Sequence, residues 1–321
     1  MTLFKTTLVK TTLGAIAMTA TLVACSSSDD NPVSGGESDG NFTASGLLTR
    51  SSALSVPEAI GALQVVFDGN DAVTALPPVD HQANAQSVGM TLRPTTVIFF
   101  GNPALGTPLM QANQQAGLDL PLKMLAIEGE DGSTQLAYND PAYLQQRHEL
   151  NGVDQQLMTM SAALGSFATA ASGESEIALA PSSSGSVAAN EGVVVVSSEQ
   201  DMDTTYNALR SAIDAAAPLR IVAEVDHTAN AQSAELDLLP TRLIIFGNPN
   251  LGTPLMQSGQ SVAIDLPQKM LVFENETGQV SIAYNDPAYI ASRHGITDQD
   301  ERLTTIATAL ENLATNAAAA P

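Results

Sequence analysis

Phe100-Gly101-Asn102-Pro103-Ala104-Leu105-Gly106-Thr107-Pro108-Leu109-Met110-Gln111 returns later in the chain as Phe246-Gly247-Asn248-Pro249-Asn250-Leu251-Gly252-Thr253-Pro254-Leu255-Met256-Gln257, at an offset of 246 − 100 = 146 residues. Sliding the chain by that offset aligns residues 46–148 with residues 192–294 without a gap. From Asp80 to His148, 41 of 69 positions are identical; from Gly46 to Val79, only 7 of 34 are. A duplication under no constraint would drift evenly, and this one has not. Self-similarity at a fixed period means one supersecondary unit made twice.

Around the quoted stretch the apolar pattern places further elements. Residues 97–100 and 243–246 are continuous apolar runs of central-strand type. Residues 124–127 and 135–138 read as two strands joined through Asp131-Gly132, a hairpin signal; the second copy has Thr277-Gly278, which fits that turn less well. Residues 193–196 form a short buried-strand run, with Leu47 and Leu48 in the same slots of the first copy. Ser55-x-x-Glu58 with Pro57 is a capping box opening an amphipathic helix, with Ile60, Leu63 and Phe67 inward. Residues 157–167 and 303–313 close each unit with an apolar-periodic helix. The order β-α-β-β-α-β-β-α-α predicts an α+β domain, an antiparallel sheet with helices on one face. Each copy is about 120 residues with its last helix, a normal domain size. The boundaries expected are a first repeat over 46–171, a Ser/Gly/acid linker over 172–191 and a second repeat over 192–321.

The first residues carry an address. Lys5 and Lys10 precede an apolar stretch over 13–24, too short to span a bilayer and laid out as a secretory signal. It ends Leu22-Val23-Ala24-Cys25-Ser26, which resembles a bacterial lipobox. That resemblance implies cleavage after residue 24 and acylation of Cys25, the only cysteine in the chain. Acyl chains on Cys25 would hold the protein on a membrane, and Ser26 in place of Asp implies the outer membrane, facing the periplasm. Residues 25–45, acidic and nearly free of apolar side chains, read as a flexible tether.

Composition excludes several classes. With 12 basic and 34 acidic residues the net charge is −22, and 10 − 34 = −24 once Lys5 and Lys10 leave with the signal. Such a surface does not neutralise phosphates, so no nucleic-acid partner is expected. A single cysteine excludes an internal disulfide and any multi-cysteine zinc site.

The motifs that could carry chemistry come in matched pairs. Gly101, Asn102 and Thr107, with Gly247, Asn248 and Thr253, mark a strand end and a helix start. Asn-Pro and Thr-Pro are each an N-cap followed by Pro at the first helical position, and a helix start can hold an anion. No phosphate-loop lysine follows, so nucleotide binding has no support. Tyr138-Asn139-Asp140-Pro141, with Tyr284 in the second copy, repeats the capping device and leads to Tyr143, Arg147 and His148. Asp119-Leu120-Pro121-x-Lys123 and Asp265-Leu266-Pro267-x-Lys269 set a lone lysine at a strand start, where pairing with a nearby carboxylate is the ordinary role.

Asp80-His81-x-x-Asn84 and Asp226-His227-x-x-Asn230 supply two of the four histidines; His148 and His294 are the others. Histidine suits acid/base work or metal ligation. The chain has no His-x₃-His or paired-cysteine spacing, so no metal and no cofactor are expected. Structural or solvent-facing hydrogen bonding is the plainer role. No Gly-x-Ser-x-Gly elbow is present. Leu109, Met110 and Met124 read as core.

In sum, the pattern Asp-His-x-x-Asn-Ala, Phe-Gly-Asn-Pro with Pro-Leu-Met, Asp-Leu-Pro-x-Lys, then Tyr-Asn-Asp-Pro and Arg-His resembles the domain of unknown function 302 family, over about 100 residues of each copy. The resemblance implies a compact antiparallel-sheet domain of TATA-binding-protein-like arrangement, and no activity. The resemblance further implies single-domain relatives able to pair, so the tandem is expected to form an internal pseudo-dimer. Three functional classes follow: a lipid-anchored, non-catalytic module binding a small ligand or a partner; an enzyme with one acid/base site per repeat built on His81 or His148 with Lys123 and Tyr138; or a structural protein whose two units merely pair with each other.

Overall fold

Apolar residues on consecutive positions of a strand require both faces of a sheet to be covered, and the computed structural model, which describes residues 44–174, 180–181 and 186–319, shows what covers them. The first repeat runs β1 (Leu47–Ser52), α1 (Val56–Asp68), β2 (Thr74–Ala75), β3 (Val79–Asp80), α2 (His81–Ser87), β4 (Thr95–Gly101), α3 (Pro103–Ala112), a 3-10 turn (Gln114–Leu118), β5 (Leu122–Glu128), β6 (Thr134–Asn139), α4 (Pro141–Arg147) and α5 (Asp154–Ser172). A two-residue strand, β7 (Ala180–Pro181), joins the edge of β1. The second runs β8 (Val193–Ser197), α6 (Met202–Ala215), β9 (Arg220–Asp226), α7 (His227–Ser233), β10 (Thr241–Gly247), α8 (Pro249–Ser258), a 3-10 turn (Gln260–Ile264), β11 (Gln268–Glu274), β12 (Val280–Asn285), α9 (Pro287–Arg293) and α10 (Asp300–Ala318).

Both sheets are antiparallel and share one topology. The first is ordered β2-β4-β5-β6-β1-β7, with β3 also on β4; the second is β9-β10-β11-β12-β8. One face of the first sheet carries α1 and α5, and one face of the second carries α6 and α10. The predicted α+β class, in two tandem copies, is the architecture found.

The strands alternate between two burials. Ile98, Phe100, Met124, Ala126, Leu136 and Tyr138 point to α1 and α5. There Phe67 stacks on Phe100 at 4.6 Å and Phe167 meets both edge-on at 5.1 and 5.5 Å, the favoured aromatic geometries. Val97, Phe99, Leu125, Ile127 and Ala137 point the other way and join the apolar cluster of the second repeat. The 3-10 turn of each repeat lies on the other's sheet: Gln114–Leu118 on β10, β11 and β12, and Gln260–Ile264 on β4, β5 and β6. The two repeats are separate in topology and continuous in their core.

Several local expectations need correction. Residues 81–87 form a helix, α2, that the apolar pattern did not reveal; seven residues with only His81 and Ala85 buried carry too little periodicity. Thr107 and Thr253 are not N-caps. Asn102 and Asn248 start the helices, accepting from the N–H of Ala104 and Asn250 at 2.9 and 3.0 Å, so each Thr-Pro falls inside the helix. The β11–β12 turn lacks Asp-Gly but keeps the same form, because Asn275 Oδ1 accepts from the N–H groups of Thr277 and Gln279 at 3.0 Å each, and Gly278 takes the left-handed conformation as Gly132 does. Ala44 and Ser45, expected in the tether, belong to the folded part: Ala44 is buried and the Ser45 carbonyl accepts from Arg293 Nε at 3.0 Å. Ser172, expected to open the linker, ends α5 fully buried. The signal segment, Cys25 and residues 26–43 lie outside the described residues.

Candidate functional site

Two buried constructions arise where the repeats meet, and each draws on sequence-predicted residues. The first is a charged network about the pseudo-two-fold axis. The loops before β5 and β11 bring in Asp119 and Asp265, and α4 and α9 end on Arg147-His148 and Arg293-His294. Asp119 accepts from Arg147 Nη1 and His148 Nε2, both at 2.8 Å; Asp265 accepts from Arg293 Nη1 at 2.7 Å and His294 Nε2 at 2.9 Å. The second guanidinium arm of each arginine crosses to the other repeat, Arg147 Nη2 to Asn285 Oδ1 at 2.7 Å and Arg293 Nη2 to Asn139 Oδ1 at 2.8 Å. Arg293 lies over the ring of Tyr143 at 4.3 Å and Arg147 over Tyr289 at 4.9 Å, within cation–π range. The hydroxyls of Tyr143 and Tyr289, the same position in the two copies, meet at 2.7 Å.

Burial opposes ionisation of Asp119, but Arg147, Lys123 and His148 outweigh it and hold the carboxyl well below the usual range. Burial likewise opposes ionisation of Asp265, where Arg293, His294 and Lys123 prevail. Removing one partner of such a buried pair costs about 3–5 kcal/mol, because the other charge is stranded in low dielectric.

The network is not fully symmetric. Lys123 bridges Asp119 and Asp265, each at 3.5 Å. Lys269 instead donates to the carbonyls of Asp265 and Pro267 at 3.0 and 3.4 Å, and burial together with the nearby Lys123 lowers it to about 7. The expected lysine–carboxylate pairing is therefore present in one copy and replaced by main-chain bonding in the other. His294 Nδ1 accepts from Ser261 Oγ at 2.9 Å; the first copy has Gln115 there, and His148 Nδ1 is left without a partner.

The second construction is a pair of cavities, each assembled across the repeats. α2 packs on α8, and α7 on α3. The strand-end turn of the second repeat (Gly247, Asn248, Thr253) therefore shares a cavity of about 130 Å³ with His81 and Asn84 of the first. Reciprocally, Gly101, Asn102 and Thr107 share one of about 410 Å³ with His227 and Asn230. The remaining walls are largely apolar, Phe246, Leu266 and Leu310 in the smaller and Phe100, Leu120 and Leu164 in the larger.

His81 is 4% exposed and its ring is hydrogen-bonded to the main chain of Ala263 and Leu266, whereas Nε2 has no partner. His227 repeats this with Gly117 and Leu120. Burial lowers both rings to about 4, which keeps them neutral near pH 7. The hydroxyls of Thr107 and Thr253, almost wholly buried, are likewise unpartnered. Unsatisfied buried polar groups are uncommon and each calls for an explanation.

Fourteen of the sixteen sequence-predicted residues fall into three places, and two tyrosines lie apart. His81, Asn84, Gly247, Asn248 and Thr253 line one cavity; His227, Asn230, Gly101, Asn102 and Thr107 line its counterpart. Lys123, His148, Lys269 and His294 belong to the charged network. Tyr138 lies apart, packed among α1 and α5 with its hydroxyl unpartnered and pushed up by burial to about 12; Tyr284 is buried at the matching place. His81, Lys123, Tyr138 and His148 therefore do not line one pocket. Asp119, Asn139, Tyr143 and Arg147, central to the network, were not among the predicted site residues. Their identity in both copies was the available signal, since a two-fold interface uses every residue twice. Among the described residues no group of three or more histidine, cysteine or acidic side chains is placed to hold a metal, and no helix is long and apolar enough to cross a membrane.

Fold and site together define a tandem α+β protein whose pockets are shared between its two copies. The chain belongs to the family of the domain of unknown function DUF302, whose model matches residues 48–167 and 194–313. Among curated proteins it resembles the fluoride-specific ion channel FluC 1 of Brucella suis biovar 1, at 46% identity over 78 residues, 24% of this chain and 31% of that protein. The protein of the same name from Brucella abortus biovar 1 is also 46% identical over 78 residues, 24% of this chain and 29% of the relative. The chain spans less than a third of the length of these curated relatives. Among solved structures, an uncharacterized conserved DUF302 protein from Bacillus stearothermophilus matches with a TM-score of 0.37 and 17% identity, over 40% of this chain and 98% of that one. DynU16, from the dynemicin biosynthetic locus, matches with a TM-score of 0.21 and 11% identity, over 85% and 97%.

Proposed function

We propose that this is a lipid-anchored protein of the bacterial cell envelope that binds small, largely apolar ligands carrying one O–H or N–H group, one in each inter-repeat cavity. The observation that supports binding is the pair of unsatisfied groups in each: a neutral histidine Nε2, which accepts or donates according to its tautomer, and a threonine hydroxyl able to do either. A ligand hydroxyl would satisfy both, in a cavity otherwise lined by hydrocarbon, the usual make-up of a small-molecule site. The smaller cavity is close in volume to an engineered one that takes benzene, and the larger falls in the range of ordinary ligand pockets. Support for the anchor is the lipobox-like Leu22-Val23-Ala24-Cys25 alone.

Phenol and benzene, titrated into the full chain, test the binding reading. Phenol should move the ring signals of His81 and His227 and bind about fivefold tighter than benzene, the worth of roughly one net hydrogen bond. Thr253→Val with Thr107→Val should reduce that advantage. Equal binding of both probes, or none, overturns the proposal. For the anchor, a Cys25→Ser chain should leave the membrane fraction; retention there would refute it. The acid/base alternative draws no support from the geometry, because its four residues lie in three separate places.

A further inference from the structure

We infer that the two cavities have diverged to take different ligands: the smaller one a compact carboxylate, the larger one a longer, uncharged molecule. The inference rests on the binding reading above and adds the substrate class of each cavity. Its ground is the way corresponding positions differ at the two mouths. In the smaller cavity the charged side chain at the rim is Arg220, exposed at the start of β9, and Arg220 makes no ion pair among the described residues. The corresponding residue of the larger cavity is Thr74. That cavity instead runs along β9 to Glu224 and Asp226, whose counterparts Pro78 and Asp80 do not line the smaller one.

The two acids at the larger mouth are already engaged. Glu224 accepts from Arg210 Nε at 3.0 Å and from the Tyr206 hydroxyl at 2.6 Å, and Asp226 pairs with Arg242 Nε at 3.2 Å. Each is neutralised by its arginine, so this mouth offers neither a free cation to hold a carboxylate nor a free anion to hold a cation. At the smaller mouth the arginine is unengaged, and its planar fork suits a carboxylate. Size separates the cavities in the same sense, about 130 against 410 Å³. The inner ends, His81 with Thr253 and His227 with Thr107, are chemically alike. Selection between ligands therefore falls to the outer parts.

The test uses phenolic probes that share the inner group and differ outside: 4-hydroxyphenylacetate, its neutral analogue 4-(2-hydroxyethyl)phenol, and 4-hexylphenol. Binding to the full chain is followed on the histidine ring signals, each assigned by its own His→Gln variant, so that His81 and His227 report separately. At low salt the acid should bind at the His81 cavity about threefold tighter than its neutral analogue, the scale of a partly exposed ion pair, and Arg220→Thr should abolish that preference. Hexylphenol should favour the His227 cavity by more than tenfold, at about fourfold per additional buried methylene. If the probes bind but show the same preferences at both histidines, or if Arg220→Thr changes nothing, divergence is refuted while the binding reading stands. If no phenol reaches either histidine, both fall.

Discussion

A histidine ring buried beside a cavity is costly to protonate, and His81 and His227 show this in their lowering to about 4 by burial. The unfolded chain takes up a proton near pH 6.5, the folded chain only near 4. Between those values the unfolded state binds more protons, so stability is full above about 6.5 and is lost as the pH falls towards 4, by at most about 1.4 kcal/mol per pH unit for each histidine. Chemical denaturation across that range should show the slope, and His81→Gln with His227→Gln should flatten it; an unchanged slope would mean that the rings are not desolvated. These residues were legible because the sequence repeats them. Their roles were not. Asp119 stands out in the sequence only as part of the repeated Asp-Leu-Pro-x-Lys motif, and only the packing of α4 against the loop before β5 makes it the acceptor for both Arg147 and His148.

At the scale of elements, the two copies part most clearly at one edge strand. β9 runs unbroken from Arg220 to Asp226, whereas the first copy has Leu76-Pro77-Pro78 in the middle and splits into β2 and β3. Two prolines remove two N–H donors, which an edge tolerates and a central strand does not. Replacing Pro77-Pro78 by Ala-Glu, as at 223–224, should join β2 to β3 and raise amide protection along β4; unchanged exchange would show that the break has another cause. Strands and long helices could be read because their apolar periods are strong. β4, for example, was expected over 97–100 and spans Thr95–Gly101. The seven-residue α2 and the 3-10 turns escaped notice because their burial is set by the opposite repeat, 146 positions away, and leaves no local period. The capping box at Ser55 shows the reverse case: Glu58 accepts from the Ser55 N–H at 2.9 Å, a bond written entirely within four residues.

For the molecule as a whole, the inner faces of the sheets decide what can exist alone. A chain stopping after the first repeat would expose Val97, Phe99, Leu125 and Ile127 and strand Arg147 without Asn285. Such a half should associate with itself or lose its fixed tertiary structure; sedimentation showing a stable monomer with sharp melting would contradict the shared core. The strongly negative surface keeps such molecules apart only where apolar area is covered. The meeting of Tyr143 with Tyr289 has a last implication. Two identical subunits joined on such an axis would be bound to mutate in step, since a single gene would write both sides. Here the sides are separately encoded, so Ser261 can answer His294 while Gln115 stands opposite His148, and one cavity is free to acquire a new taste while its twin preserves the old.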